Sequence, residues 1–241
     1  MLSNKPWVER ESRVSLERLL PRLEKRFANQ DDDGAWIGYV ERVRRHFPLL
    51  FAQLYELYGT RYDFFFHLES ILFSSTELWL SRSRELKALD AAREADPQWF
   101  QSHNIVGAVC YVDLFAGNLS GFRKRLPYLR ELGVNYLHLM PLFPSPNGDN
   151  DGGYAINNYR EVAAHLGSIE ELTELASELR HQGISLVLDF VFNHTSDEHE
   201  WAKKALAGDA QYQEYYRMFP DRALPDAYEA HMQEIFPDEH P

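Results

Sequence analysis

Residues 184–196 read ISLVLDFVFNHTS. Up to Phe192 the run is apolar apart from Ser185 and Asp189, and at nine residues it is too short for a buried helix, so it predicts a strand. The strand ends in a way that packing does not require. Asp189, Asn193 and His194 put a carboxylate, an amide and an imidazole at its C-terminal end. Upstream, Gly183 supplies the left-handed stop of a helix whose start is written as Ser168-Ile169-Glu170-Glu171, a capping box in which Ser168 and Glu171 satisfy each other's free backbone donors. Before that helix lies a second apolar run, 134–140 (VNYLHLM), preceded by a predicted helix over 120–132 that Gly133 closes. The first run, 105–114 (IVGAVCYVDL), predicts a fully buried strand. Strand, helix, strand, helix, strand implies parallel pairing through right-handed crossovers. The connection over 141–167 is far longer than an ordinary turn, and in a βα scaffold such a loop points to function.

The first 97 residues follow a different period. Leu16, Leu19, Leu20, Leu23 and Phe27 recur three and four apart, and Asp31-Asp32-Asp33-Gly34 then breaks the helix. Trp36, Tyr39, Val40, Val43 and Phe47 mark a second helix. Pro48 is expected to start a third, carrying Leu50, Leu54, Leu57 and Tyr58 as far as Gly59. Phe64, Phe65, Leu68, Ile71 and Leu72, then Leu78, Leu86 and Leu89, continue helical spacing to a stop at Asp96-Pro97. This predicts an all-helical domain of four or five helices.

A 44% hydrophobic content with 14% aromatic residues supplies a core and excludes a disordered chain. The balance of 25 Lys+Arg against 37 Asp+Glu leaves a net charge of −12. With no basic stripe interleaved with aromatics, nucleic acid is not an expected partner. The single cysteine, Cys110, lies in an apolar run and reads as a buried, inert thiol. Residues 1–14 carry charges throughout with no apolar core of a leader, and no stretch approaches a membrane span, so a cytoplasmic protein without membrane association is expected.

Polar groups gather where βα-barrel enzymes keep their sites: Asp113 after the first predicted strand, Asp151 and Tyr154 after the second, Asp189, Asn193 and His194 at the third. A lone strand-end histidine is more often a satisfied hydrogen-bonder. Beside Asn193 and Asp189, His194 points to sugar or metal binding. The loop from Asn147 to Tyr154 (NGDNDGGY) holds carboxylates for hydroxyls, glycines for close backbone approach and an aromatic ring for the apolar face of a sugar. Its spacing does not fit the twelve-residue calcium loop, so no metal is expected. Nucleophile elbow, Walker loop, dinucleotide fingerprint and zinc spacing are all absent from the sequence.

Asp151-Gly-Gly-Tyr154, Asn158-Tyr159, Leu166-Gly167 and Asp189-Phe-Val-Phe-Asn193-His194 together resemble the opening half of glycoside hydrolase family 13, the α-amylase superfamily. The helical preface, the run from Asn193 to Trp201 (NHTSDEHEW), Phe219-Pro-Asp-Arg222 and Glu234-Ile-Phe-Pro-Asp238 narrow the resemblance to its amylosucrase branch. The resemblance implies a helical domain over 1–97, the first three strands of a (β/α)8 TIM barrel over 98–192, and the start of a B domain over 193–241. It implies a substrate pocket for a glucosyl ring lined by Asp151, Tyr154 and His194, with Asp189 and Asn193 in support. The implied partners are sucrose and an α-glucan acceptor, with no cofactor and no metal. The implied mechanism is retaining, through a covalent glucosyl intermediate. Its nucleophile and general acid belong to the fourth and fifth strands, so no catalytic residue is expected here and the chain is expected to be inactive alone. Gln233 stands where the resemblance implies an acceptor-binding arginine, which leaves plain sucrose hydrolysis open beside polymer elongation.

Overall fold

The computed structural model describes residues 6–27, 29, 34–148 and 151–232. The helix break at 31–33, Asp149 and Asn150 of the acidic loop, Gln233 and the 234–238 motif lie outside the described residues. The chain divides into two compact units, Met1–Pro97 and Gln98–Pro241.

Among the described residues the first unit has four α-helices: α1 (Pro6–Phe27), α2 (Ala35–Tyr58), α3 (Phe64–Ser81) and α4 (Arg84–Ala95). Leu19, Leu23 and Phe27 of α1 meet Tyr39, Phe47 and Phe51 of α2 and Phe64, Leu68 and Leu72 of α3 in one core. Phe51 and Phe64 pack edge to face at 5.9 Å, a geometry that aromatic quadrupoles favour. Helix α4 buries no residue and is held by charge instead: Arg82 pairs with Asp90, and Glu94 takes Arg42 at 2.6 Å and Arg45 at 3.0 Å. Pro48 does not start a helix. It lies inside α2, whose backbone continues through it while Phe47 and Phe51 on either side are fully buried. Burial of two aromatic rings outweighs the bond that proline removes. The buried stripe accordingly follows Phe51 and Ala52, and Leu57 and Tyr58 face solvent.

The second unit carries a three-stranded parallel sheet in the order β1-β2-β3, with β1 (Gly107–Cys110), β2 (Tyr136–Leu139) and β3 (Ser185–Leu188). The register aligns Ala108, Leu137 and Leu186 in one row and Cys110, Leu139 and Leu188 in another. Both rows pack on the core formed by the crossover helices. Helix α5 (Val112–Ala116) follows β1, then α6 (Leu119–Lys124) and α7 (Leu126–Glu131) lead to β2, and α8 (Ile169–His181) leads to β3. Val112, Leu119, Phe122, Leu126, Leu129, Leu175 and Leu179 are the helices' buried contribution to that core. The capping box is present: Ser168 Oγ accepts from Glu171 N–H at 3.2 Å, and Glu171 accepts from Ser168 N–H at 3.0 Å. Gly133 and Gly183, at φ 76° and 75°, turn the chain out of α7 and α8.

Three expectations change. The helix over 120–132 is two, because Pro127 sits at the start of α7 and cannot continue α6. The strands are four residues long, and the chain leaves β1 directly for α5. Nor is β1 fully buried: Val109 is 63% exposed, because the rows Val109-His138-Val187 and Gly107-Tyr136-Ser185 face away from the helices. After α8 and β3 come α9 (Glu200–Leu206), α10 (Ala210–Gln213) and α11 (Ala223–Glu229). The architecture is a helical unit followed by a partial TIM barrel with three parallel strands.

Candidate functional site at the strand ends

Asp189 is the residue after the last of β3, so its carboxylate emerges where the sheet stops. Two donors converge on it. His138 Nε2, from β2, lies 3.0 Å from Oδ1, and the Tyr154 hydroxyl donates to Oδ2 at 3.2 Å. Burial, and then the negative charge of Asp189, pushes the Tyr154 phenol above its usual range, so it keeps the proton it donates. The polar tip of the tyrosine is thereby tied to Asp189.

The loop that delivers Tyr154 is shaped by Asp151. Its Oδ1 accepts from the backbone N–H of Tyr154 at 2.8 Å and of Ala155 at 2.9 Å, closing a tight turn over two glycines. Gly152 and Gly153 take φ 83° and 91°, and a Cβ on Gly152 would stand 2.8 Å from the Tyr111 hydroxyl. Only glycine satisfies both the left-handed backbone and the close approach. Asp151 Oδ1 is therefore committed to the turn.

Asn193 and His194 are placed differently. Both are exposed, and with Tyr159, Trp201, Tyr215 and Arg217 they line a cavity of about 890 Å³ that includes none of Asp151, Tyr154 and Asp189. Asn193 Nδ2 lies 3.5 Å from His194 Nδ1, too long to orient the ring. Asp113 takes no part in the strand-end cluster. It lies on the exposed face of α5, where the backbone bond from Gly117 N–H to its carbonyl ends the helix. Cys110 packs on the core, and burial raises its thiol, which keeps it protonated and unreactive. Among the described residues no group of three or more His, Cys, Asp or Glu side chains is placed to hold a metal ion.

Three residues had no role assigned from the sequence. His138 sits inside β2 and reads as one more strand residue, yet the register puts it beside Val187 on the face that also presents Asp189. Its signal was its place in the alternation, polar between Leu137 and Leu139. Tyr159 shares its one hydroxyl proton between two backbone carbonyls, Val191 at 2.7 Å and His194 at 3.2 Å. His199 is 4% exposed, caps α9 by accepting the Trp201 N–H at 3.1 Å, and has its pKa lowered by burial, with Glu200 opposing.

Parallel βα units with polar side chains collected at the C-terminal strand ends define a segment of a βα-barrel enzyme. The chain belongs to the α-amylase family: the model of the alpha amylase catalytic domain matches residues 23–239. Enzymes of this family act on glycosidic bonds. Salivary alpha-glucosidase of Aedes aegypti is 38% identical over 104 residues, covering 43% of this chain and 18% of that protein. Probable oligo-1,6-glucosidase 2 of Bacillus subtilis (strain 168) is 39% identical over 105 residues, covering 43% and 18%. A solved structure of a MutB mutant in complex with the substrate sucrose is 35% identical, covers 50% of this chain and 22% of that one, and has a TM-score of 0.44. The chain spans about a fifth of the length of the curated relatives it matches. No helix among the described residues is long and apolar enough to cross a membrane.

Proposed function

We propose that this chain supplies the glucosyl-binding side of a retaining enzyme that cleaves sucrose and passes glucose to an α-glucan acceptor. The observation that carries the reading is the strand-end cluster. The Asp151 turn presents Tyr154, and Asp189, itself bonded to His138, accepts its hydroxyl, so an aromatic ring and two carboxylates meet at the strand ends. That pairing suits a pyranose, whose apolar face stacks while its hydroxyls are bound by acids. Sucrose as donor is supported by the helical unit ahead of the barrel and by the runs 193–201 and 219–222, which resemble amylosucrases. In this reading the nucleophile and the acid, which a retaining glycosidase holds about 5–5.5 Å apart, come from later strands, and the residues here bind and orient the ring.

Hydrolysis of α-glucosides is the second reading, favoured by relatives named as glucosidases at 38–39% identity. The two separate in one assay with the longest open reading frame that contains this segment. Fructose release from sucrose with glucan growth is expected. Glucose release from maltose or isomaltose with no action on sucrose would establish the second reading instead. Titration calorimetry of the 241-residue chain with glucose tests the shared premise, since an unperturbed heat baseline at high glucose would remove the binding site itself.

A further inference from the structure

We infer that Tyr159 is a positioning residue that sets where His194 presents its imidazole; this rests on the reading of His194 as a sugar-facing group. Residues 190–194 leave β3 with no strand partner among the described residues, and Phe192, Asn193 and His194 are exposed. Asp189 is still held, by its N–H to Leu139 O at 3.4 Å; beyond it, the hydrogen bonds that reach the backbone of 191–194 come from one phenol. The Tyr159 hydroxyl shares its one proton between Val191 O, at 2.7 Å, and His194 O, at 3.2 Å, so a single bifurcated donor reaches both ends of the turn. The His194 ring is not oriented by Asn193 at 3.5 Å, and its placement therefore follows from the backbone that Tyr159 grips.

The phenol itself is fixed. Phe190 stacks on the Tyr159 ring at 5.1 Å and 18°, Phe143 meets it edge-on at 5.8 Å, and His199 packs at 5.6 Å. His199 is rigid in turn, because it is buried and its Nδ1 caps α9. Burial, with Tyr216 next, raises the Tyr159 phenol above its usual range, so the donor keeps its proton through neutral pH.

The test is Tyr159→Phe in the 241-residue chain, which removes both bonds and keeps the ring. Histidine Cε1–H signals are recorded by NMR, with His194→Gln used for assignment, and glucose affinity is measured alongside. In Y159F the His194 signal is expected to shift or broaden while the histidines other than His199, which touches the Tyr159 ring, hold. Glucose affinity is expected to fall about tenfold, the worth of one charge-free hydrogen-bond network. An unmoved His194 signal, an unchanged affinity, or a shift of every histidine together overturns the proposal. If the unaltered chain binds no glucose, the sugar reading fails by itself, and the His194 signal in Y159F alone decides the positioning role. If Y159F does not fold, the carbonyl shifts of Val191 and His194 in the unaltered chain decide. Downfield values mark a donated bond, and random-coil values overturn it.

Discussion

At the residue scale, the strand-end cluster depends on a few atoms whose removal has a calculable effect. Tyr154→Phe deletes the bond to the Asp189 carboxylate and leaves that oxygen with one fewer donor. Hydrogen bonds to charged groups contribute about 1.5–3 kcal/mol when buried, and this site is half-open, so a loss of about 1–2 kcal/mol is expected in urea unfolding. Gly152→Ala acts on the backbone: it forces φ 83° on an L-residue and drives a Cβ against the Tyr111 hydroxyl. A cost of about 1–2 kcal/mol is expected from the left-handed conformation alone, with weakened glucose binding because the turn that carries Tyr154 must shift. His199 gives a pH dependence with a definite sign. Its pKa in the fold is lowered from 6.5, so the unfolded chain binds its proton first as pH falls. The contribution of His199 is complete above about pH 6.5 and declines as pH drops through the lowered value. Unfolding midpoints measured from pH 7.5 to 5 should fall, and His199→Asn, which keeps an acceptor for the Trp201 N–H, should flatten that slope.

At the scale of elements, α8 offers the cleanest measurement. Ser168→Ala removes one half of a reciprocal cap and is expected to cost about 1 kcal/mol, with a double-mutant cycle against Glu171→Ala showing coupling between the two. This helix was legible because cap, apolar period and glycine stop agree along one stretch of chain. The parallel strands were legible for a related reason, since short continuous apolar runs, recurring between helical segments, suit strands that crossover helices cover. Where local rules compete with packing, the sequence misled. Pro48 carries a helix-start signal, and the burial of Phe47 and Phe51 overrides it. The helix over 120–132 has an unbroken apolar period, and Pro127 divides it all the same. The site divided in the same manner. Asp151, Tyr154 and Asp189 announce themselves as polar groups in or after apolar strands, whereas the part played by His138 depends on which residue of β3 lies alongside β2, a register that no single strand encodes.

At the scale of the whole chain, two properties pull in opposite directions. The sheet face that carries Val109 and Val187 is turned away from the crossover helices, Val109 is 63% exposed, and Phe192 beyond β3 is 87% exposed. Apolar surface of this kind, together with the outer edges of β1 and β3, which have no strand partner among the described residues, favours association between molecules. The net charge of −12 opposes it through mutual repulsion. The two effects respond differently to salt. Repulsion between charged surfaces is screened once the Debye length falls to about 10 Å near 0.1 M, while apolar attraction is not weakened. The 241-residue chain is therefore expected to gain apparent mass with concentration in light scattering, and to gain it more steeply as sodium chloride is raised. Val109→Lys places a cation on the exposed face and at an edge strand, a substitution that natural sheets use to discourage pairing. It should reduce the association at every salt concentration even though it lowers the net negative charge. Association that instead increases in V109K would show that the repulsive charge, and not the uncovered face, governs how these molecules meet.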